Sequence, residues 1–149
     1  MSITKSELEN LRDKSLSARD FSYSPYSKFR VGAVLLTESG EWIQGANVEN
    51  ASYGGAICAE RVAITRAIME GHKKFKAIGV ASDLSVVCSP CGICRQFIRE
   101  WSTDIPIYLF TKDGKYTMQT IKELLPLSFG PEHLDTEKVE AETETLLEV

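Results

Sequence analysis

Cys91 and Cys94 are separated by two residues directly after Pro90, while Cys58 is followed two residues later by Glu60 and three residues later by Arg61. Thiolates bind borderline-soft divalent ions, and a Cys-x-x-Cys pair opening a helix sets both sulfurs on one face, about one turn apart. Unpaired N–H groups and the dipole at that helix start favour thiolate over thiol. If the helix beginning after Cys58 starts beside the one beginning after Pro90, three sulfurs meet at one ion. A fourth tetrahedral position is then left for water, which is an open zinc site. Glu60 lies about 200° around an ideal helix from Cys58, so it is placed to serve that water rather than to become a further ligand. Arg61 returns to the cysteine face, where it can donate to the sulfurs and, with the two helix starts, offset the negative charge of three thiolates on a divalent ion.

Other chemistry fits the same residues. Cys88, Cys91 and Cys94 form a Cys-x-x-Cys-x-x-Cys run that, with Cys58, can close a four-sulfur zinc site or hold an iron–sulfur cluster. Pro90 stands between Cys88 and the later pair, so the Cys88 sulfur need not point the same way. An early helical glutamate can also do no more than complement the helix dipole.

The elements that must position these residues are legible in outline. Thr4 and Glu7 match a capping box, and Leu8, Leu11 and Leu16 supply a buried face for a helix ending before Arg19. After a loop at residues 22–28, the apolar run 31–36, the turn 38–41 and the stretch 42–48 predict a β-hairpin. A helix over 59–70, stopped by Gly71, leads to a short buried strand at 76–81. Pro90 can open a helix over 91–101. Residues 105–111, the turn 112–115 and the edge strand 116–118 form a second hairpin, and Thr120 with Glu123 caps a last short helix near Pro126. Helices interleaved with a sheet that has hairpins at both ends predict an α/β fold with a mixed sheet covered on two faces.

Composition narrows the possible roles. A chain of 149 residues, 43% apolar, suffices for one compact domain, expected over residues 1–134. The apolar run 31–36 is far shorter than the ~18 residues of a membrane span, and the charged N-terminus lacks a signal peptide's apolar stretch, so a soluble cytoplasmic protein is expected. In such a compartment four cysteines are metal ligands or free thiols rather than disulfides. Of the net charge of −4, residues 135–149 carry six acids and one lysine, which leaves residues 1–134 close to neutral. That body has no cluster of Lys and Arg, which argues against nucleic acid and for a small uncharged ligand. The acidic segment 135–149 is expected to be disordered or weakly helical.

Cys58-Ala59-Glu60-Arg61 and Pro90-Cys91-Gly92-Ile93-Cys94-Arg95-Gln96 together resemble the signature of the zinc nucleoside and nucleotide deaminases. Tyr26-Ser27-Lys28-Phe29, Val31-Gly32-Ala33, Asn47-Val48-Glu49-Asn50 and Glu123-Leu124-Leu125-Pro126 narrow the resemblance to the small homotetrameric cytidine deaminases, over about residues 8–134. The resemblance implies a three-layer α/β/α fold with a five-stranded mixed sheet. It implies one zinc per subunit on Cys58, Cys91 and Cys94, with Arg61 supporting the sulfurs. It also implies hydrolysis of cytidine and deoxycytidine to uridine or deoxyuridine plus ammonia, a step of pyrimidine salvage, in which a zinc-bound hydroxide attacks and Glu60 carries the proton to ring nitrogen 3. By the same resemblance, Phe29 packs beside the pyrimidine and Asn47 and Glu49 hold the ribose hydroxyls. The Ser89 carbonyl accepts from the substrate amine, the amides of Ala59 and Cys91 position base and hydroxide, and Tyr53 and Phe129 reach into active sites shared across subunits. Cys88, Gly54-Gly55 and the acidic tail depart from the family pattern. A deaminase for another amino-pyrimidine shares this core, and a nucleic-acid editing module is disfavoured by the near-neutral body.

Overall fold

A computed structural model of the chain describes residues 3–136, so most of the acidic tail, from 137 onward, lies outside the described residues. Helix α1 (Lys5–Ala18) starts on the reciprocal cap its sequence predicts: Glu7 N donates to Thr4 Oγ1 at 3.0 Å and Thr4 N donates to Glu7 Oε1 at 2.9 Å. It runs into a 3-10 turn at Arg19–Phe21. Strands β1 (Val31–Thr37) and β2 (Trp42–Ala46) form the first hairpin, and α2 (Ala59–Met69) follows. Gly71, at φ +88°, ends α2 by letting the chain turn so that His72 N donates to Ala67 O at 2.8 Å. Next come β3 (Phe75–Ser82), α3 (Gly92–Arg99), the second hairpin of β4 (Pro106–Phe110) and β5 (Tyr116–Thr120), and the single turn α4 (Ile121–Leu124), capped by Thr120 and Glu123.

The sheet order is β2-β1-β3-β4-β5. Only β3 and β4 pair in parallel; the other neighbours are antiparallel. The parallel pair needs a crossover, and α3 supplies it. Strand β1 shows why the central strands read as continuous apolar runs. Ala33 and Leu35 face one buried cluster with Ala59, Ala63 and Ile64 of α2 and Ile98 of α3, while Val34 and Leu36 face another with Leu11 of α1. Helices therefore cover both faces, and the three-layer α/β/α arrangement with five strands is the observed one.

Two expected helix limits need correction. Helix α3 begins at Gly92, not Cys91, and ends at Arg99, not Trp101. The cause at its start is that Cys91 has an extended backbone, φ −64° and ψ 168°, which makes it the N-cap rather than the first helical residue.

One packing contact bears directly on the cysteines. Helix α2 lies against β2 at Gly45, where a Cβ would stand 2.4 Å from Ala63 N and 2.7 Å from Ala59 O. Backbone atoms leave no flexible side chain to yield, so only glycine permits this approach. Gly45→Ala is expected to destabilise the fold by about 1–3 kcal/mol, read as a lower urea midpoint with an unchanged denaturant slope.

Candidate metal centre and active-site pocket

Cys58 and Cys91 occupy equivalent places. Each is the N-cap of its helix, with an extended backbone and no capping hydrogen bond from its side chain. Both sulfurs are thus free to turn toward a common point where the two helices begin, and Cys94, fully buried in the first turn of α3, completes the group. The three Sγ atoms lie within 4.8 Å of one another, and those of Cys58 and Cys91 are 3.8 Å apart. Two sulfurs held about 2.3 Å from a tetrahedral zinc stand roughly 3.8 Å from each other, so the spacing fits that ion. Cys88 does not join them: among the described residues the cluster has three ligand atoms, which suits an open site rather than a four-sulfur one.

Electrostatics support anionic sulfur here. Hydrogen bonding from Cys94 draws the Cys58 thiol down to about 5, with Arg61 and Cys91 adding to the effect against the cost of burial. Cys94 moves the opposite way, because its bond to Cys58 and its burial both favour the thiol. A divalent cation would supply the positive charge for full ionisation. Arg61 Nη2 lies 3.6 Å from Cys58 Sγ, as its spacing predicts, and Arg61 Nε is buried without a hydrogen-bond partner among the described residues. Glu60 is only 4% exposed, and burial, joined by the charge of Cys58, pushes its carboxyl above the ordinary range. A carboxyl raised in this way holds a proton more readily than an ordinary one, which suits a group that must both take and give one.

A cavity of about 300 Å³ opens beside this group. Phe29, Asn47, Glu49, Cys58, Ala59, Glu60, Ser89 and Cys91 line it together. Val31, Val48, Ala56, Ile57, Val80 and Cys88 complete its walls; the sequence reading weighed Cys88 as a fourth sulfur and did not place the other five in the site, since each is an ordinary strand or loop residue until the chain is folded.

The polar lining is tightly held. Asn47 Oδ1 accepts from Val31 N at 2.9 Å and from Ser22 Oγ at 2.5 Å, and Nδ2 donates to Phe29 O at 2.8 Å. The Asn47 amide therefore fixes its neighbours and has one N–H left over. Glu49 accepts from Tyr26 N, Ser27 N and Ser27 Oγ, which hold its carboxyl below the usual range, the Ser27 hydroxyl most of all. Ser89 is fixed by Arg95, which donates to Ser89 Oγ at 2.6 Å, Pro90 O at 2.9 Å and Leu124 O at 2.7 Å. Sequence reasoning quoted Arg95 in the motif but missed this role, along with those of Ser22 and Ser27.

Tyr53 and Phe129 are not brought into the cavity of their own chain. Tyr53 is 78% exposed beside Tyr26, and Phe129 is 57% exposed and stacked on His133.

Residues 5–109, which carry all three clustered cysteines and Glu60, match the family described as the cytidine and deoxycytidylate deaminase zinc-binding region. The chain belongs to that family. Among relatives of this deaminase, the cytidine deaminase of Sporosarcina psychrophila is 43% identical over 129 residues, covering 86% of this chain and 95% of its own. A probable cytidine deaminase of Dictyostelium discoideum is 44% identical, covering 89% and 90%. The crystal structure of cytidine deaminase from Burkholderia pseudomallei aligns with a TM-score of 0.80 at 37% identity, over 85% of this chain and 100% of that one. As a member, the chain is a zinc-dependent hydrolase, and the three-cysteine cluster fits one zinc per subunit. No helix among the described residues is long and apolar enough to cross a membrane.

Proposed function

We propose that this deaminase hydrolyses cytidine and deoxycytidine to uridine or deoxyuridine and ammonia in the cavity beside Cys58 and Cys91. The observation that carries this reading is the buried Glu60 carboxyl sharing one nucleoside-sized cavity with two of the three clustered sulfurs. When bound, zinc supplies Lewis acidity that brings the pKa of a coordinated water toward ~7. Glu60 takes the proton released as water adds to the amine-bearing carbon and delivers it to ring nitrogen 3; a further transfer lets the amine leave as ammonia. Phe29 packs beside the pyrimidine, the remaining Asn47 N–H and Glu49 lone pairs meet the sugar hydroxyls, and the Ser89 carbonyl accepts from the substrate amine. The amides of Ala59 and Cys91 position base and water.

A free nucleoside is favoured over its monophosphate because neither Lys nor Arg is among the described residues lining the cavity. Uridine should form from cytidine, and a zinc chelator should stop it, while cytidine monophosphate should release little ammonia. Equal turnover of the monophosphate would refute the assignment.

The proposal extends to a cytoplasmic homotetramer serving pyrimidine salvage, its subunits folded as one domain over residues 1–134. Exposed Tyr53 and Phe129, together with an outward groove of about 590 Å³ on α3 lined by Ile93, Phe97 and Trp101, supply apolar surface for subunit contacts. In the assembly Tyr53 and Phe129 complete neighbouring cavities. Native mass spectrometry should give four subunits, and Phe129→Ala should raise KM for cytidine; a fully active monomer would sink this part.

A further inference from the structure

Phe29 reaches the cavity from a chain segment under strain. Lys28, immediately before it, has φ +59°, a left-handed conformation that a non-glycine residue keeps only when its surroundings fix it. On one side of this segment Asn47 holds Phe29 O and Val31 N. On the other, Arg30 is gripped by Asp83, the first residue after β3. Asp83 Oδ2 accepts from Arg30 N at 3.2 Å and Arg30 Nε at 3.1 Å, and Oδ1 accepts from Arg30 Nη2 at 2.9 Å and Arg19 Nη1 at 3.0 Å. Arg19 also donates to Leu16 O and Ser82 O, and Arg30 Nη1 to Asp20 Oδ1, so the grip is braced against the end of α1. Asp83 opens the segment, without regular structure of its own, that leads to Cys88, Ser89 and Cys91. Asp83 therefore ties the segment that carries Phe29 to the start of the one that carries Ser89, and both residues line the cavity.

We propose that Asp83 and Arg30 are a positioning pair, clamping Phe29 against the segment that carries Ser89 and so setting the fit of the cavity to the nucleoside base. This rests on the reading that Phe29 and Ser89 contact substrate. The side chains of Arg30 and Asp83 are 41% and 30% exposed, and ion pairs at such positions add little to stability. Their geometry is specific nonetheless: a bidentate guanidinium with an added backbone N–H fixes both distance and orientation. Loss of the pair should therefore appear in substrate binding rather than in folding.

Steady-state kinetics on the zinc-loaded enzyme tests this. Asp83→Ala should raise KM for cytidine about tenfold with kcat within about twofold, since a small misplacement of binding groups is costly. Arg30→Ala, which leaves the backbone bond to Asp83, should raise KM by a smaller factor, and the double variant should be no worse than Asp83→Ala, with thermal midpoints close to the parent's. Asp83→Asn, which preserves shape, should move KM in the same direction and serves if Asp83→Ala does not fold. An unchanged KM in Asp83→Asn, or Asp83→Ala and Arg30→Ala effects that multiply, would overturn the pairing. Phe29→Ala, measured alongside, separates the two levels: a raised KM there with none in Asp83→Asn removes the clamp alone, whereas no change in Phe29→Ala removes the site reading and the clamp with it.

Discussion

Glu60→Gln is expected to bind zinc like the parent and to lose cytidine turnover by about 10²- to 10⁴-fold, the usual contribution of a positioned acid–base group. The amide keeps the shape and the polarity of the buried side chain, so α2 and the sulfurs need not move. What disappears is the group that takes a proton and gives it back. Stability should hold or rise slightly, because a carboxyl whose ionisation burial opposes is replaced by a neutral group. Zinc content, kcat and the thermal midpoint read the three parts separately. Undiminished kcat in Glu60→Gln would remove Glu60 from the mechanism.

Cys94→Ala should be at least as damaging, by a different route. Cys94 is fully buried in the first turn of α3 and is the most deeply buried of the three clustered cysteines. Without it two sulfurs remain, and an ion bound by two protein atoms is readily lost to a chelator. The purified variant should carry far less than the parent's roughly one zinc per subunit, and adding zinc should not restore uridine formation. Cys88→Ala gives the contrast: its sulfur lies outside the cluster, so metal content should match the parent's. Zinc retained in Cys94→Ala, or lost in Cys88→Ala, would mean that the ligand set is wrongly assigned.

What the sequence revealed follows the range of the interactions involved. The Thr4 and Thr120 caps span three residues, and the turns at Gly40 and Gly114, with φ +91° and +84°, are as local, so both hairpins and both capped helices could be read directly. The relation of Cys58 to Glu60 and Arg61 is likewise set within one helical turn. Long-range bonds were beyond such reading. The Asn47 amide is engaged by Ser22, Phe29 and Val31, and Arg95 reaches Leu124, contacts that exist only once β1, β2 and α3 are in place. Cys91 was placed inside its helix because a proline often occupies the first helical position, whereas here Pro90 precedes the cap itself. Whether Cys88 joins the other sulfurs depended on where its side chain points, which spacing left open; among the described residues the cluster is Cys58, Cys91 and Cys94.

The contact between α2 and the bare backbone of β2 at Gly45 carries a consequence for how the protein ages and adapts. Where helix and strand meet backbone to backbone at Gly45, a disturbance of the sheet passes straight to the first turn of α2, next to its N-cap Cys58. Core substitutions far from the cavity, at Ile43 or Ile64 for instance, would then loosen the grip on zinc before they unfold the chain. Susceptibility to chelators would thus report hidden damage earlier than any melting curve.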